Sequence, residues 1–237
     1  MILLLSKKDL YILLGSMFVF LLFLLYTSNY YLDYNYLLVY KAILFRDYVI
    51  ESVSFMKFII VMYGAYISIL AKKLHHLDGL YLSRSSRFRI IVSRALVLIT
   101  YLVVCICVLF AFFLSVGSFL TPIMQNYQYF QLFISIILFG IFYLLLSYLL
   151  MNVIKLFYAP LFTMLIYFVG SIFSPYYIDI HNANVFEKVI SYIINDLIVF
   201  SNNTIAPYYG NFHIIALILV LSAAIISLYH EKDIITL

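Results

Sequence analysis

The sequence predicts an all-α membrane protein with six transmembrane helices and both termini in the cytoplasm. Hydrophobic residues make up 67% of the 237 residues and charged residues 10%, whereas soluble domains contain about half and about a quarter. Residues 95–154 contain no Asp, Glu, Lys or Arg, and this run is long enough for two spanning helices of about 20 residues each. Much of the apolar surface must therefore face lipid.

Six apolar segments can each cross a bilayer, and together they form one predicted transmembrane domain over 1–237. The first begins close to the N-terminus and lacks a small-residue cleavage pattern, so we interpret it as a retained span rather than a cleaved signal peptide. The short link at 152–155 predicts a tight antiparallel hairpin between the fourth and fifth spans. The predicted spans are 10–28, 53–71, 95–120, 129–151, 156–174 and 211–229.

The charge distribution predicts the orientation. With both termini inside, ten of the 14 basic residues and four acidic residues lie on the inner side, against four basic and six acidic residues outside. This asymmetry follows the positive-inside rule, so the basic excess indicates topology and contact with anionic lipid, not nucleic-acid binding. Lys57 falls near the outer end of the second span, where snorkelling to the headgroups is the favoured explanation.

Both long outer segments have an interfacial character. The predicted first outer loop, 29–52, is rich in tyrosine, which favours an aromatic belt at headgroup level, with substrate contact as the alternative. Between the fifth and sixth spans, an apolar stripe at i, i+4 spacing predicts a surface or re-entrant helix at 184–200. A seventh span there is disfavoured because it would place Asp196 in lipid.

No motif for catalysis, metal binding or nucleotide binding occurs in the sequence. It has no Walker loop, nucleophile elbow, zinc-spaced cysteine pair or His-Glu-x-x-His helix, so we predict no catalytic residue, metal site or cofactor. Cys105 and Cys107 point to different sides of one helix and are predicted to be free thiols. Gly64-x-x-x-Ser68 and Ala223-x-x-x-Ser227 permit close helix packing, inside the bundle or between subunits.

The inner loop at 72–94 is the most polar part of the chain. It contains Asp78-Gly79, and then Ser86-Arg87 with a further base, Arg94, seven residues after the arginine. This pattern resembles the membrane subunits of type-2 ABC exporters. The proline that often precedes their Ser-Arg is missing here, and Leu80 replaces a frequent threonine. The resemblance implies a coupling helix that docks on an ABC ATPase through Leu77, Asp78, Gly79, Leu80, Tyr81, Arg84 and Arg87.

The resemblance further implies a transport subunit without its own ATPase site, in a bacterial plasma membrane, paired with a second permease copy or a paralogue. The chain is similar to small permeases that export amphipathic peptides such as phenol-soluble modulins and bacteriocins. Its aromatic, nearly charge-free spans suit such a cargo, although no substrate-binding residue is predicted. The alternatives are a non-transporting scaffold or immunity protein and, less favoured for lack of catalytic motifs, a membrane enzyme.

Overall fold

The computed structural model describes residues 7–33, 38–75, 87–120, 129–153, 158–173, 184–185, 215 and 217–226, and all of them except Asn184 are helical. Successive helices are α1 (Lys7–Asp33), α2 (Leu38–His75), α3 (Arg87–Leu120), α4 (Tyr129–Val153), α5 (Tyr158–Phe173) and α6 (Leu217–Ile226).

Three of these helices are long and apolar enough to cross a membrane, through Tyr48–Ile69 of α2, Ala95–Gly117 of α3 and Leu132–Met151 of α4. The other three contain shorter apolar stretches, Leu14–Ser28, Tyr158–Val169 and Leu217–Ile226. Backbone amides in hydrocarbon must be hydrogen-bonded within the segment, which is why apolar runs of this length fold as helices. The predicted all-helical fold is thereby confirmed, and three of the predicted spans, at 53–71, 95–120 and 129–151, coincide with helices that could cross a membrane.

The prediction of a long first outer loop at 29–52 is wrong. Helix α1 continues to Asp33 and α2 begins at Leu38, so only residues 34–37 separate the two helices. The physical reason is in the sequence: no glycine or proline occurs between Gly15 and Gly64, and the aromatic and aliphatic residues that follow Asn35 are compatible with helix. Most of the predicted outer helix at 184–200 lies outside the described residues.

The chain divides into two compact units. The first comprises Met1–Ile59 with Cys105–Tyr129, and the second comprises Ile60–Val104 with Phe130–Leu237. In the first unit, Phe55 of α2 stacks on Phe23 of α1 with ring centroids 4.2 Å apart. Tyr48, near the start of the apolar part of α2, stacks 5.9 Å from Phe113 in the last third of α3. This contact joins the beginning of α2 to the later part of α3, whereas residues 76–86 connect the end of α2 to the beginning of α3. The two helices therefore run antiparallel.

In the second unit, an aromatic cluster joins α4 to α5. Tyr143 of α4 is fully buried and meets Tyr167 of α5 edge to face at 5.8 Å, and Phe139 lies 5.9 Å from the same Tyr167 ring. Tyr143 and Tyr167 lie at similar distances from the 154–157 link, as expected for an antiparallel pair. Helices α4 and α5 thus form the antiparallel pair that the short link between them predicts.

The outward surfaces of α1, α5 and α6 are strongly apolar. On α5, Leu161, Leu165 and Phe168 lie along one helix face and are each more than half exposed. Soluble monomers rarely leave such contiguous apolar surface in water. These faces are suited to the hydrocarbon of a bilayer.

Candidate functional site

Most of the predicted ATPase-docking segment lies outside the described residues, namely Leu77, Asp78, Gly79, Leu80, Tyr81 and Arg84. Arg87 is the first residue of α3, with only its backbone described, and α2 extends to His75. The two helices therefore continue through the basic residues on both sides of the loop. At 1.5 Å per residue, Arg87 lies about 10 Å along α3 from Arg94.

Helix α2 is the most enclosed of the three long apolar helices. Two thirds of its apolar window, 67%, is buried, compared with 56% in α4 and 39% in α3. Its exposed residues between Tyr48 and Ile69 are Glu51, Ser54 and Met62, which share one narrow stripe. A helix enclosed on most of its circumference can pass a displacement to several neighbours at once.

Lys57 lies close to the midpoint of the 38-residue α2, and its side chain is 5% exposed. The snorkelling interpretation is therefore wrong, because a snorkelling ammonium group would reach the surface. Apart from tyrosines, the buried polar side chains of the described residues are serine and threonine hydroxyls and this one lysine. Charged side chains inside membrane proteins are rare and are associated with function. Lys57 is consequently a candidate functional residue, a role that the sequence did not predict for it.

A cluster of hydroxyl groups lies nearer the start of α2, in the first unit. Tyr48 and Ser52, one helical turn apart, are both fully buried, and the phenol oxygen of Tyr129 is buried as well. The cluster gives the unit a polar interior site in otherwise apolar surroundings. Along α2, the nine residues from Tyr48 to Lys57 correspond to about 14 Å, so the lysine is not part of this cluster.

Gly64 and Ser68 bring α2 against α4 in the second unit. A Cβ atom added at Gly64 would lie 3.2 Å from the backbone nitrogen of Leu144, closer than most side chains tolerate. One turn further, the Ser68 and Ser147 hydroxyl oxygens lie 2.7 Å apart in the interior. The contacts advance in the same direction along both helices, so α2 and α4 run parallel. The predicted close contact through Gly64-x-x-x-Ser68 occurs inside the bundle.

A largely apolar cleft of about 200 Å³ lies between α3, α4 and α6, entirely within the second unit. We call it the α3–α4–α6 cleft. It is lined by side chains from 95–99 of α3, 144–148 of α4 and 222–226 of α6. The cleft brings the early part of α3 next to the later part of α4, whereas residues 121–128 connect the end of α3 to the beginning of α4. The two helices therefore run antiparallel. The cleft thus begins one residue after Arg94, at the end of α3 that carries the basic residues.

The second small-residue motif is only partly described. Ala223 lies in α6, and Ser227 lies outside the described residues. In α3, Cys105 is buried and Cys107 is exposed, and both are free, as predicted from their spacing. Among the described residues, no group of three His, Cys, Asp or Glu side chains is placed to hold a metal ion.

Comparison with known proteins identifies no relative. No protein-family model, curated protein or solved structure matches the chain. Its function is therefore inferred from its own residues and packing.

Proposed function

We propose that the chain is the membrane-spanning subunit of an ATP-driven exporter, energised by a separate ABC ATPase that docks on residues 77–87. The observation that carries this proposal is the continuity of α2 and α3 through the basic residues that flank the loop, up to His75 and from Arg87. Because α2 reaches the loop on one side and α3 leaves it on the other, a motor bound to the loop would act on both helices.

Helix α2 is suited to pass that movement on. It contacts α1 through Phe55, α3 through Tyr48, and α4 through Ser68. Because packed interfaces switch between discrete arrangements, tilting α2 would change its packing with these helices together. ATP-driven closure of the ATPase pair would in this way open and close a lumen between two permease copies.

In this proposal the chain crosses a bacterial plasma membrane six times with its termini and the docking loop inside. The helix directions support this arrangement, since α2 and α4 run one way while α3 and α5 run the other. The charge asymmetry supports the orientation, with ten basic residues on the proposed inner side. The helix predicted from sequence at 184–200 would then lie on the outer side.

The cargo in this proposal is an amphipathic or hydrophobic peptide of the toxin or bacteriocin type. Supporting this, the described interior contains a single buried charge, Lys57, and many aromatic side chains. A pathway of this composition would suit apolar side chains better than a small ion or sugar. Such peptides would enter sideways from the inner leaflet, where their apolar faces already lie.

The decisive experiment is purification of the tagged chain from its own cells, identification of any ABC ATPase that accompanies it, and measurement of ATP hydrolysis by the complex with and without amphipathic peptide. We expect a complex whose hydrolysis rises with peptide. Reversing both charges, Arg84→Glu with Arg87→Glu, should abolish this stimulation. The matched control, Lys188→Glu in the predicted outer segment, should leave it unchanged.

Peptide-stimulated hydrolysis that survives the double reversal would overturn the docking assignment. If no ATPase accompanies the chain, yet the chain still protects cells from a toxin, the protein is a non-transporting immunity or scaffold protein instead. Protection that requires ATP hydrolysis indicates an exporter, whereas protection without ATP hydrolysis indicates an immunity or scaffold protein.

A further inference from the structure

The α3–α4–α6 cleft has the chemistry of a hydrocarbon site. Its lining contains no charged side chain, and its polar groups are the hydroxyls of Tyr148 and Ser222. The Ser222 hydroxyl donates to the Ile218 carbonyl oxygen at 2.7 Å, so it is already satisfied within its own helix. A cleft lined in this way offers little to water.

The volume of the cleft sets the size of its occupant. Apolar cavities of about 150 Å³ in proteins stay dry and accept a benzene-sized molecule. At about 200 Å³, this cleft has room for a stretch of hydrocarbon somewhat larger than benzene. Leu96, which lines the cleft, is 59% exposed, and Ile226 is 39% exposed, so the cleft adjoins the apolar outer surface of the bundle. In a bilayer that surface meets acyl chains.

The position of the cleft along α3 indicates which part of a lipid would lie there. Its lining begins at Ala95, next to Arg94, and continues to Ile99, about 7 Å further along the helix. Arg87, Arg89 and Arg94 occupy the first turns of the same helix. A lipid whose upper acyl carbons lay in the cleft would have its phosphate near this arginine-bearing end, and basic residues at the membrane surface favour anionic headgroups.

We propose that the α3–α4–α6 cleft binds the upper part of one acyl chain of an anionic phospholipid, with the lipid phosphate at the level of Arg94. This site is independent of the proposed transport activity, because it requires neither an ATPase nor a cargo. A lipid held there would occupy the space among three helices of the second unit.

The test uses the full chain in nanodiscs that contain phosphatidylglycerol with a diazirine near the glycerol end of one acyl chain. After irradiation, we expect the label on 95–99 or 217–226, identified by peptide mass spectrometry. Ser222→Phe, which fills the cleft, should reduce this labelling at least fivefold. Ser171→Phe is the matched control, because Ser171 also bonds to its own helix, at 2.8 Å to Phe168, but does not line the cleft.

A competition series on the unmodified protein needs no variant. Unlabelled phosphatidylglycerol should displace the probe at several-fold lower concentration than phosphatidylcholine, and Arg94→Gln should remove that difference. Labelling spread evenly over α1 and α5, or unchanged by Ser222→Phe, would overturn the proposal, as would equal competition by the two lipids. Displacement by an amphipathic peptide but not by lipid would overturn it too, and would assign the cleft to cargo.

Discussion

Lys57 carries the single buried charge among the side chains that the structure describes, and it does so near the middle of the most enclosed helix. Burying an ammonium group costs free energy unless other groups compensate for its lost hydration. Charged side chains inside membrane proteins are rare and are associated with function, so we expect Lys57 to serve function rather than stability. In the proposed exporter, a movement of α2 would move Lys57 with it and change the surroundings of its side chain.

Lys57→Met tests this explanation, since methionine has a similar unbranched shape without the charge. We expect the free energy of unfolding to change by less than about 2 kcal/mol, because packing is kept and the desolvation cost of the ammonium group is removed together with the interactions that this group makes. Lys57→Ala should lower it by about 2–4 kcal/mol through the void it leaves. The measurement is reversible unfolding in mixed micelles. Equal destabilisation by both substitutions would show that the ammonium group itself stabilises the fold.

At the scale of helices, the α2–α4 contact depends on a residue without a side chain. Gly64 faces the backbone of Leu144, which cannot move aside as a flexible side chain could. In contrast, a Cβ at Gly15 of α1 would meet nothing within 4 Å. The two glycines therefore have opposite roles, although the sequence shows both simply as glycines within apolar helices.

Gly15→Ala should stabilise the protein by up to about 1 kcal/mol through helix propensity alone. Gly64→Ala gains the same propensity but must push α2 and α4 apart by a few tenths of an ångström, so we expect it to be less stable than Gly15→Ala. Gly64→Leu should cost about 1–3 kcal/mol by overpacking. Thermal unfolding of the three variants in one detergent gives the order, and a Gly64→Leu protein as stable as the wild type would refute the close approach.

The hydroxyl pair of Ser68 and Ser147 adds a second link between the same helices. A double-mutant cycle with Ser68→Ala and Ser147→Ala should give a coupling free energy of about 0.6 kcal/mol, the average for interhelical hydrogen bonds in a membrane protein. Ser115→Ala is the control, because this exposed hydroxyl bonds to Ala111 of its own helix. Coupling indistinguishable from zero would mean that the two hydroxyls bond to their own helices instead.

At the scale of the whole molecule, orientation follows from charge. Ten basic residues are assigned to the inner side and only four to the outer side. A protein inserted the other way would place the arginines around 84–94 across the membrane, against the bias that governs insertion. The docking proposal requires the inner position for the same arginines.

Single cysteines at position 79 and position 188 test the orientation in a variant without Cys105 and Cys107. A membrane-impermeant maleimide added to intact cells should label position 188 and leave position 79 unlabelled until the membrane is permeabilised. The contrast in labelling between intact and permeabilised cells is the readout. Labelling of position 79 in intact cells would reverse the topology and remove the proposed ATPase from its docking loop.

The sequence by itself determined that the described chain is helical and where α3, α4 and α5 lie. A long apolar run in lipid satisfies its backbone hydrogen bonds by forming a helix. Its composition therefore predicts both the type of secondary structure and the residues that form it. The α1–α2 boundary was predicted less well, because tyrosine-rich sequence is compatible both with an interfacial loop and with helix. The docking residues 77–84 remain a prediction from sequence.

Only the tertiary structure decided which faces of these helices are enclosed. Helices such as α4 are apolar on every side, so sequence periodicity does not distinguish a face that packs on protein from one that meets lipid. The burial of Lys57, the contact at Gly64 and the α3–α4–α6 cleft all depend on which helices become neighbours. That choice comes from shape and close packing between distant segments, which local sequence pattern does not encode.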